Sequence, residues 1–564
     1  MQMRRPLLLY DTTLRDGMQR EGLSVSVDEK VRIAVRLAEL GVHLLEGGFP
    51  SSNPKDAEFF RRLEQVDLGD MVVAAFGMTR PAKVRADEDA GLVALAAGWT
   101  PLVTLVGKTW ELHVKKVLRV GREENLHMIY ESVDFLRRQG KRVFYDAEHF
   151  FDAYLHDPEY AMECLRTAVE AGAEAVCLCD TNGAALPFQV SEVVAEVVKA
   201  LGEACRVGIH THNDAGCAVA NSLVAVAQGA DVVQGTINGY GERCGNADLC
   251  SIIPALKLKM GIDCISLENL ERLTDTARFV AELCNVAPDP HQPYVGRNAF
   301  AHKGGMHVAA VERDPSTFEH IDPRLVGNTP HVLVSELSGR ATIKQRIREL
   351  GYPGHDEKEL IERILARVKE KEYEGYHYEA ADASFELLLR AEMGLQVELF
   401  RLESFRIIVE KRADGETTSE ATVKVHVGGE RLIETAEGNG PVNALDKALR
   451  LAIQRKYPRV HDIHLVNYSV RILDEDKGTA AKTRVLLDSS DGHENWGSVG
   501  VSVNVVEASW QALVDSICYG LLKAGEDAQT PGPAEAGDEG RGYRAPGDSE
   551  SGRGVQGGAG AAGV

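Results

Sequence analysis

The sequence contains no apolar run long enough to cross a membrane and no signal-peptide pattern, although the chain has 564 residues and is 44% hydrophobic. Basic residues are outnumbered, because 63 Lys and Arg against 85 Asp and Glu leave a formal net charge of −22. A nucleic-acid-binding surface needs clustered Lys and Arg, so this balance argues against one. We therefore expect a cytoplasmic protein that binds neither membranes nor nucleic acids.

Paired cysteines and a nucleotide-binding glycine motif are also missing. The 10 cysteines include no CxxC pair, so a structural zinc site is not indicated. Cys177, Cys179, Cys205 and Cys244 lie in or beside apolar runs, as reduced thiols would. No GxGxxG follows the first strand-like run, which argues against a dinucleotide-binding fold.

Apolar runs of strand length recur through the first half of the chain, and segments with helical periodicity, such as 31–40 and 160–171, separate them. This spacing is that of a strand–helix unit, so we predict a (β/α)8 TIM barrel, with an open doubly wound sheet as the alternative. The eight predicted strands are residues 7–10, 43–48, 72–77, 102–107, 143–145, 175–179, 207–209 and 232–237.

Polar residues follow most of these runs directly, at the end of the strands where barrels of this kind carry their chemistry. Apolar residues alone define the predicted strands, so this agreement supports the barrel. The polar residues are Arg15, Asp16, Glu46, Glu148, Thr181, His210, His212 and Asn246.

His210 and His212 are separated by one residue, so on a strand they point to the same face. A pair like this, taken alone, is more often two unrelated histidines in a loop. Together with Asp16 and Asn246 it offers two oxygens and two imidazole nitrogens, a set that suits Zn²⁺, Mn²⁺, Co²⁺ or Mg²⁺. We therefore predict a divalent metal site with these four ligands.

Three further residues have side chains that suit catalysis at such a site. Arg15 is able to polarise a carbonyl oxygen, and Glu148 and His307 are able to transfer protons. The competing interpretations are structural, a salt bridge for Arg15 and a helix-capping carboxylate for Glu148. His307 ends a stretch rich in Gly, His and Asn, residues 293–307, which is typical of a loop that reaches a site.

The pattern changes after the barrel. Charged helical segments predict small helical linker subdomains, and from residue 400 alternating strands and helices predict a separate α+β domain. The last residues are almost without apolar side chains, so we expect a disordered tail. The predicted boundaries are 1–280 for the barrel, 281–398 for the linker subdomains, 399–525 for the C-terminal domain and 526–564 for the tail.

Several stretches together resemble the signature of the family of 2-isopropylmalate, homocitrate and citramalate synthases. They are residues 11–17 (DTTLRDG), 210–214 (HTHND) and 241–247 (GERCGNA). Residues 46–56 (EGGFPSSNPKD) and 146–152 (DAEHFFD) are most similar to the citramalate branch of that family. The resemblance covers nearly all of the chain except the tail.

The resemblance implies condensation of acetyl-CoA with a 2-oxo acid, which is pyruvate in the citramalate branch, followed by hydrolysis of the thioester. His307 matches the family's catalytic histidine, although Val308, Ala309 and Ala310 follow it where the family has a short acidic stretch. Residue by residue, the resemblance implies catalytic roles for Arg15, Glu148 and His307, substrate contacts from Arg15, Thr181 and Glu46, and metal ligation by Asp16, His210, His212 and Asn246.

The C-terminal domain resembles the family's leucine-type regulatory domain, which binds a feedback amino acid at a dimer interface. For the citramalate branch this implies a homodimer with isoleucine as the effector. Gly438, Asn439 and Gly440 precede Pro441 at a predicted helix start, where backbone N–H groups suit a carboxylate. The competing interpretation is a helix start without a ligand.

Other functions remain open at this point. A 2-isopropylmalate or homocitrate synthase would take 2-oxoisovalerate or 2-oxoglutarate, and pocket volume decides between acceptors. A lyase would run the same bond chemistry backwards, but the long C-terminal domain argues against it. A non-catalytic amino-acid sensor would bind an amino acid without turnover, but the intact set of polar residues at the strand ends argues against that.

Overall fold

A computed structural model gives the structure of most of the chain. No helix in the described part is both long and apolar enough to span a bilayer. The tail expected to be disordered, residues 526–564, lies outside the described residues. The structure describes residues 5–332, 334, 338–354, 357–395 and 398–525.

The chain forms two compact units, one made of residues 1–301 and 319–331, the other of residues 302–318 and 332–564. In the first unit, eight parallel strands close into a barrel in chain order, which confirms the predicted fold. The strands are β1 (Leu8–Asp11), β2 (Leu44–Glu46), β3 (Val72–Met78), β4 (Leu102–Lys108), β5 (Arg142–Glu148), β6 (Ala175–Asp180), β7 (Arg206–Thr211) and β8 (Val232–Gly235).

Helices cover the outside of the barrel. In the first of them, the Ser26 hydroxyl accepts a hydrogen bond from the Glu29 amide and the Glu29 carboxylate accepts one from the Ser26 amide, a capping box that fixes where the helix begins. Its buried residues Ile33, Leu37 and Leu40 recur at helical spacing and face the strands. The helices of this unit are α1 (Val27–Leu40), α2 (Pro54–Leu63), α3 (Ala90–Ala97), α4 (Glu111–His113), α5 (Arg122–Arg138), α6 (Phe150–His156), α7 (Pro158–Glu170), α8 (Pro187–Leu201), α9 (Ala218–Ala227), α10 (Leu249–Pro254), α11 (Leu267–Leu270) and α12 (Leu273–Leu283).

The interior of the barrel is built in layers, because every second residue of each strand points inward. The lowest layer is an apolar cluster that includes Tyr10, Leu44, Phe144 and Val232. Two residues further along the strands the inward side chains become polar. This second layer consists of Glu46, Thr104, Asp146, Cys177 and Gln234, all buried.

The second unit holds the remaining helices and two antiparallel three-stranded sheets. Each sheet is followed in the chain by a helix that packs on it, so this part of the second unit repeats an arrangement of three strands and a helix. The elements from here to the end of the described chain are β9 (Ala301–His302), α13 (Gly305–Arg313), β10 (His331–Val332), α14 (Arg340–Glu349), α15 (Lys358–Glu374), α16 (Asp382–Glu392), β11 (Phe400–Lys411), β12 (Thr417–Val427), β13 (Glu430–Gly438), α17 (Pro441–Ile453), β14 (His464–Ile472), β15 (Thr483–Ser490), β16 (Asn495–Ser502) and α18 (Val505–Lys523).

The alternating pattern of the sequence predicts two strands before α17, residues 404–410 and 421–427, and does not predict strand β13. It is an edge strand that pairs with β12 alone, and its side chains alternate between half-buried and exposed. Glu434 and Glu437 interrupt its apolar pattern, so periodicity gives only a weak signal for it.

Helix α16, which falls in the predicted linker region, packs on the free edge of β16. The Gly497 amide donates to Asp382 Oδ1 at 2.8 Å, and the Val499 amide donates to Ser384 Oγ at 3.0 Å. These side chains accept hydrogen bonds from the amides on the edge of β16, which a further strand of the sheet would otherwise accept. The exact domain boundaries stay a prediction, but α16 packs on β16 and on α18 of the C-terminal region.

Asp515 of α18 makes the stability of this unit dependent on pH. Its carboxyl lines a cavity of about 380 Å³, and burial raises its pKa to about 7 although a hydrogen bond with Ser384 opposes this. A raised pKa in the folded state means that the folded protein holds a proton which the unfolded chain releases. The associated stability is complete below pH about 4 and is lost as pH rises through about 7.

We predict that Asp515→Asn makes the protein more stable at pH 8 by on the order of 1–3 kcal/mol, with a smaller gain at lower pH, because the amide has no charge to bury. Thermal unfolding of the full chain across this pH range measures the difference. Asp414→Asn, in the exposed turn after β11, is the matched control and should leave the curve unchanged. Parallel curves for the unchanged protein and Asp515→Asn would contradict the prediction.

Candidate active site

The C-terminal ends of the barrel strands open onto a cavity of about 640 Å³. This is where the polar residues were predicted to meet, because parallel strands bring their carboxyl ends to one side. Six of the predicted site residues line the cavity, namely Arg15, Asp16, Glu148, Thr181, His210 and His212.

Asp16, His210 and His212 form a compact, buried group at the bottom of this cavity. The apolar residues Val207 and Ile209 of β7 face the helices, so His210 and His212 face the interior. The Nε2 atoms of His210 and His212 lie 3.1 and 3.7 Å from Asp16 Oδ2 and 3.3 Å from each other. One ligand atom from each residue therefore points at a common centre.

The electrostatics of this group suit a divalent cation. Burial opposes ionisation of Asp16, but Arg15 and His210 hold the pKa of its carboxyl well below the usual range. Burial and the neighbouring His210 lower the pKa of His212 to about 4, so its imidazole is neutral and keeps a lone pair. A carboxylate beside a neutral imidazole is the donor set that a metal such as Zn²⁺ or Mn²⁺ requires.

Asn246, the fourth predicted ligand, lies beside the group but turns its amide nitrogen toward it. Its Nδ2 donates to Asp16 Oδ2 at 2.6 Å, and its buried Oδ1 has no hydrogen-bond partner among the described residues. Gly241 makes room for this side chain, because a Cβ there would stand 2.3 Å from Asn246 Oδ1. Direct ligation by Asn246 stays a prediction, and the orphaned oxygen is the atom that would provide it.

Two other groups in the described chain have ligand-like geometry, and both suit a cation less well. In the group of His113, Glu148 and His149, the carboxylate already forms an ion pair with Lys108. In the group of Asp146, Cys177 and Cys179, burial raises the pKa of the Cys177 thiol well above its usual range. Thiols that stay protonated are poor metal ligands.

Arg15 is fixed in place from two sides. Its Nε donates to Glu46 Oε1, its guanidinium carbon lies 4.2 Å from the centre of the Phe76 ring, and its NH1 lies 3.3 Å from Asp16 Oδ1. Glu46 also accepts a hydrogen bond from the Tyr10 hydroxyl at 3.0 Å. The guanidinium therefore points into the cavity next to the group of Asp16, His210 and His212, which we call the metal group.

Glu46 was predicted to contact substrate, and the structure places it differently. The residue is fully buried and is not part of the cavity wall. Its carboxylate lies behind the guanidinium of Arg15, because β2 presents it in the second layer of the barrel. Glu46 therefore holds Arg15 in this geometry, and a contact of its own with substrate stays a prediction.

Thr181 and Glu148 stand on neighbouring strands on another side of the cavity. The Thr181 hydroxyl oxygen accepts a hydrogen bond from the His149 amide at 2.8 Å, so the hydroxyl hydrogen of Thr181 can be donated to another acceptor. Glu148 forms an ion pair with Lys108, which lines the same cavity at the end of β4.

Sequence reasoning missed Lys108, Phe76, Asp146 and Gln234. Lys108 follows a predicted strand directly, as the residues that were recognised do, and that position was the available signal. Phe76, Asp146 and Gln234 lie inside their strands. Their roles depend on which neighbour each side chain meets across the barrel, and no local pattern shows this.

The remaining predicted residues belong to the second unit. His307 is exposed near the start of α13, and its ring stacks on Phe318 with 4.2 Å between centroids. Gly440 is the N-cap of α17, directly after Gly438 and Asn439. The catalytic role of His307 and the regulatory role of this loop stay predictions.

Comparison with known proteins gives matches along most of the chain. Residues 7–280 match the HMGL-like family, residues 294–375 the homocitrate synthase post-HMGL domain-like family, and residues 379–521 the LeuA allosteric (dimerisation) domain. An (R)-citramalate synthase of Geobacter sulfurreducens is 51% identical over 92% of this chain and 98% of its own. One from Synechocystis sp. is 50% identical over 91% and 96%, whereas a 2-isopropylmalate synthase of Dictyoglomus turgidum is 30% identical over 92% and 99%.

A barrel of this family whose mouth carries Arg15 and the group of Asp16, His210 and His212, followed by a match to the LeuA allosteric (dimerisation) domain, defines an acyl-CoA-using condensing enzyme, an acyltransferase. Within that class, the extent and level of identity show that the chain belongs to the (R)-citramalate synthase family. This confirms the resemblance that the sequence motifs indicated.

The ion pair of Lys108 with Glu148 leads to a prediction about a residue that the sequence motifs do not reveal. Lys108→Met leaves the Glu148 carboxylate without its cation at a partly buried position, so we expect kcat/KM for acetyl-CoA to fall by about 10- to 100-fold. Steady-state kinetics with the purified full chain measures this. Lys115→Met removes an exposed lysine that pairs with Glu111 and is the matched control. Equal kinetics for both variants would show that Lys108 does not serve the site.

Proposed function

We propose that this protein is an (R)-citramalate synthase, which condenses acetyl-CoA with pyruvate and hydrolyses the thioester to give citramalate and CoA. The arrangement of Asp16, His210 and His212 beside Arg15 in one cavity carries this proposal. The identity with (R)-citramalate synthases over nearly the whole chain supports the choice of substrates. Citramalate formed in this way would serve isoleucine biosynthesis.

The acceptor 2-oxo acid would lie against Arg15 and Thr181. A divalent cation held by Asp16, His210 and His212, with Asn246 as a further ligand, would supply Lewis-acid polarisation of the ketone. Arg15, held by Glu46 and Phe76, faces the position where negative charge grows on the former carbonyl oxygen. The hydroxyl hydrogen of Thr181 is free to donate to the acceptor's carboxylate, because the oxygen already accepts the His149 amide.

The condensation step leaves two proton transfers to the chain's own groups; in the later hydrolysis, water adds its hydroxyl to the acyl carbon and its hydrogen goes to the sulfur of the departing CoA. A methyl proton must leave acetyl-CoA before carbon–carbon bond formation, and the alkoxide that results must gain one. Glu148 lines the cavity, and the ammonium group of Lys108 balances the charge of the Glu148 carboxylate before substrate binds. We assign the transfers to Glu148 and His307 together, without choosing which of them removes the first proton.

The test is release of CoA from acetyl-CoA by the purified full chain with Mn²⁺, offered pyruvate, 2-oxobutyrate, 2-oxoisovalerate and 2-oxoglutarate separately. We expect the highest kcat/KM with pyruvate, and chiral analysis of the product should show the R enantiomer. Omitting the oxo acid gives the control for simple thioester hydrolysis. We also expect added isoleucine to slow the pyruvate reaction.

Other outcomes would favour the rival functions. A preference for 2-oxoisovalerate would make the protein a 2-isopropylmalate synthase. No release of CoA with any oxo acid, together with retained amino-acid binding, would support a non-catalytic sensor.

We infer that the protein works as a homodimer whose regulatory region binds isoleucine. The match of residues 379–521 to the LeuA allosteric (dimerisation) domain supports this. Helix α17 supports it too, because its N-cap is Gly440 and its first residue is Pro441. The free backbone N–H groups of its first turn point toward the loop of Gly438 and Asn439. An amino-acid carboxylate is the ligand class that such a helix start accepts.

An uncovered apolar stripe on β14 supports the dimer as well. Val470 pairs with Val485 across the strands, and cross-strand partners share a face, yet Val485 is buried while Val470 is 45% exposed. Tyr468 and Ile472 share this face and are 37% and 52% exposed. A second copy of the chain would bury these side chains, which the described residues leave open to solvent.

We predict that Val470→Glu combined with Ile472→Glu disrupts the dimer, because it places two charges in the apolar stripe. Sedimentation equilibrium should show the mass of a single chain for this variant and twice that mass for the unchanged protein. Ser469→Glu, on the opposite face of the same strand, is the matched control and should remain dimeric. A dimer that survives the double substitution would place the interface elsewhere.

A further inference from the structure

The polar layer beneath the metal group contains a connection that the mechanism above does not use. Gln234 of β8 and Asp146 of β5 are both buried, and they stand on opposite sides of the barrel interior. Gln234 Nε2 donates to Asp146 Oδ1 at 2.9 Å, and Gln234 Oε1 lies 2.8 Å from His210 Nδ1. One amide thus joins a buried carboxyl to an imidazole of the metal group.

With Asp146 ionised, the amide serves both neighbours in only one orientation. Its nitrogen carries two donors and its oxygen only accepts, so facing the nitrogen to the Asp146 carboxylate leaves the oxygen facing His210. The oxygen then requires the proton of His210 to be on Nδ1. The lone pair of His210 is consequently on Nε2, the atom 3.1 Å from Asp16 Oδ2.

With the amide reversed, a donor would face His210 Nδ1 and the ring would carry its proton on Nε2. That tautomer has no lone pair to offer at the common centre with Asp16 and His212. The partner on the far nitrogen of a ligating histidine fixes both the tautomer and the ring orientation. In most such sites the partner is a carboxylate or a backbone carbonyl, whereas here it is an amide that is itself oriented by a carboxylate.

We propose that Gln234 is a positioning residue which, anchored by Asp146, holds His210 in the tautomer that binds the metal. The inference rests on the metal site used in the proposed function, but it does not depend on which oxo acid is the substrate. Binding of Mn²⁺ alone to the metal-free full chain tests it without any turnover.

Gln234→Leu keeps the approximate shape of the side chain and removes its acceptor. We expect the Kd for Mn²⁺, measured by isothermal titration, to rise by about 10- to 100-fold, the usual effect of losing such a partner. The thermal midpoint of the metal-free protein reports whether the variant is folded. Gln228→Leu is the matched control, because Gln228 bonds Ser191 on the helical side of the barrel.

A charge-preserving exchange gives a sharper test. In the double variant D146N/Q234E, the carboxylate and the amide change places, so the new carboxylate accepts from His210 Nδ1 and from the new amide. The net charge and the number of hydrogen bonds are kept, and His210 keeps its tautomer. We expect the Mn²⁺ affinity to return to within about threefold of the unchanged protein.

The results separate positioning from packing. Recovery in D146N/Q234E after loss in Gln234→Leu would support the proposal. A folded Gln234→Leu variant that binds Mn²⁺ like the unchanged protein would overturn it, and so would an exchange variant as weak as Gln234→Leu. If Gln234→Leu fails to fold, the exchange variant decides alone. Normal Mn²⁺ binding without CoA release would count against the proposed function only.

Discussion

The alternation of side chains along the barrel strands is the constraint on which the site depends. Because every second residue points inward, most strands contribute a side chain to the apolar floor, and five of them contribute a buried polar side chain or thiol to the layer above it. The floor closes the barrel to water, and the polar layer can therefore hold charges at low dielectric. Asp16, His210 and His212 lie directly above that layer, so an ion bound there would be held by side chains whose orientation is fixed.

Two chains of hydrogen bonds connect the mouth to the layer below it. One runs from Arg15 through Glu46 and Tyr10 to Thr104 and fixes the Arg15 guanidinium, which would face the ketone of the proposed substrate. The other runs from His210 through Gln234 to Asp146. The polar interior thus orients the reacting groups from beneath, which leaves the cavity above them to the substrates. Lys108 adds a cation at the rim, beside Glu148.

Most of the fold and part of the site could be predicted from the sequence. Buried parallel strands read as apolar runs, and the residues after them are placed together by the barrel, so His210 and His212 were recognisable as a pair. The position of Glu46 behind Arg15 could not be predicted, because a residue at a strand end faces either the cavity or the layer below, and only the register of the strands decides. Strand β13 was missed because an edge strand lacks a continuous apolar pattern.

The most direct test of this account is the position of the metal relative to the acceptor. Crystals of the full chain grown with Mn²⁺ and pyruvate would show the ion by its anomalous scattering. The account predicts an anomalous peak about 2.2 Å from an Asp16 oxygen and from the Nε2 atoms of His210 and His212, with pyruvate chelated on the side of Arg15. An ion held by His113, Glu148 and His149, or pyruvate bound away from the ion, would contradict it.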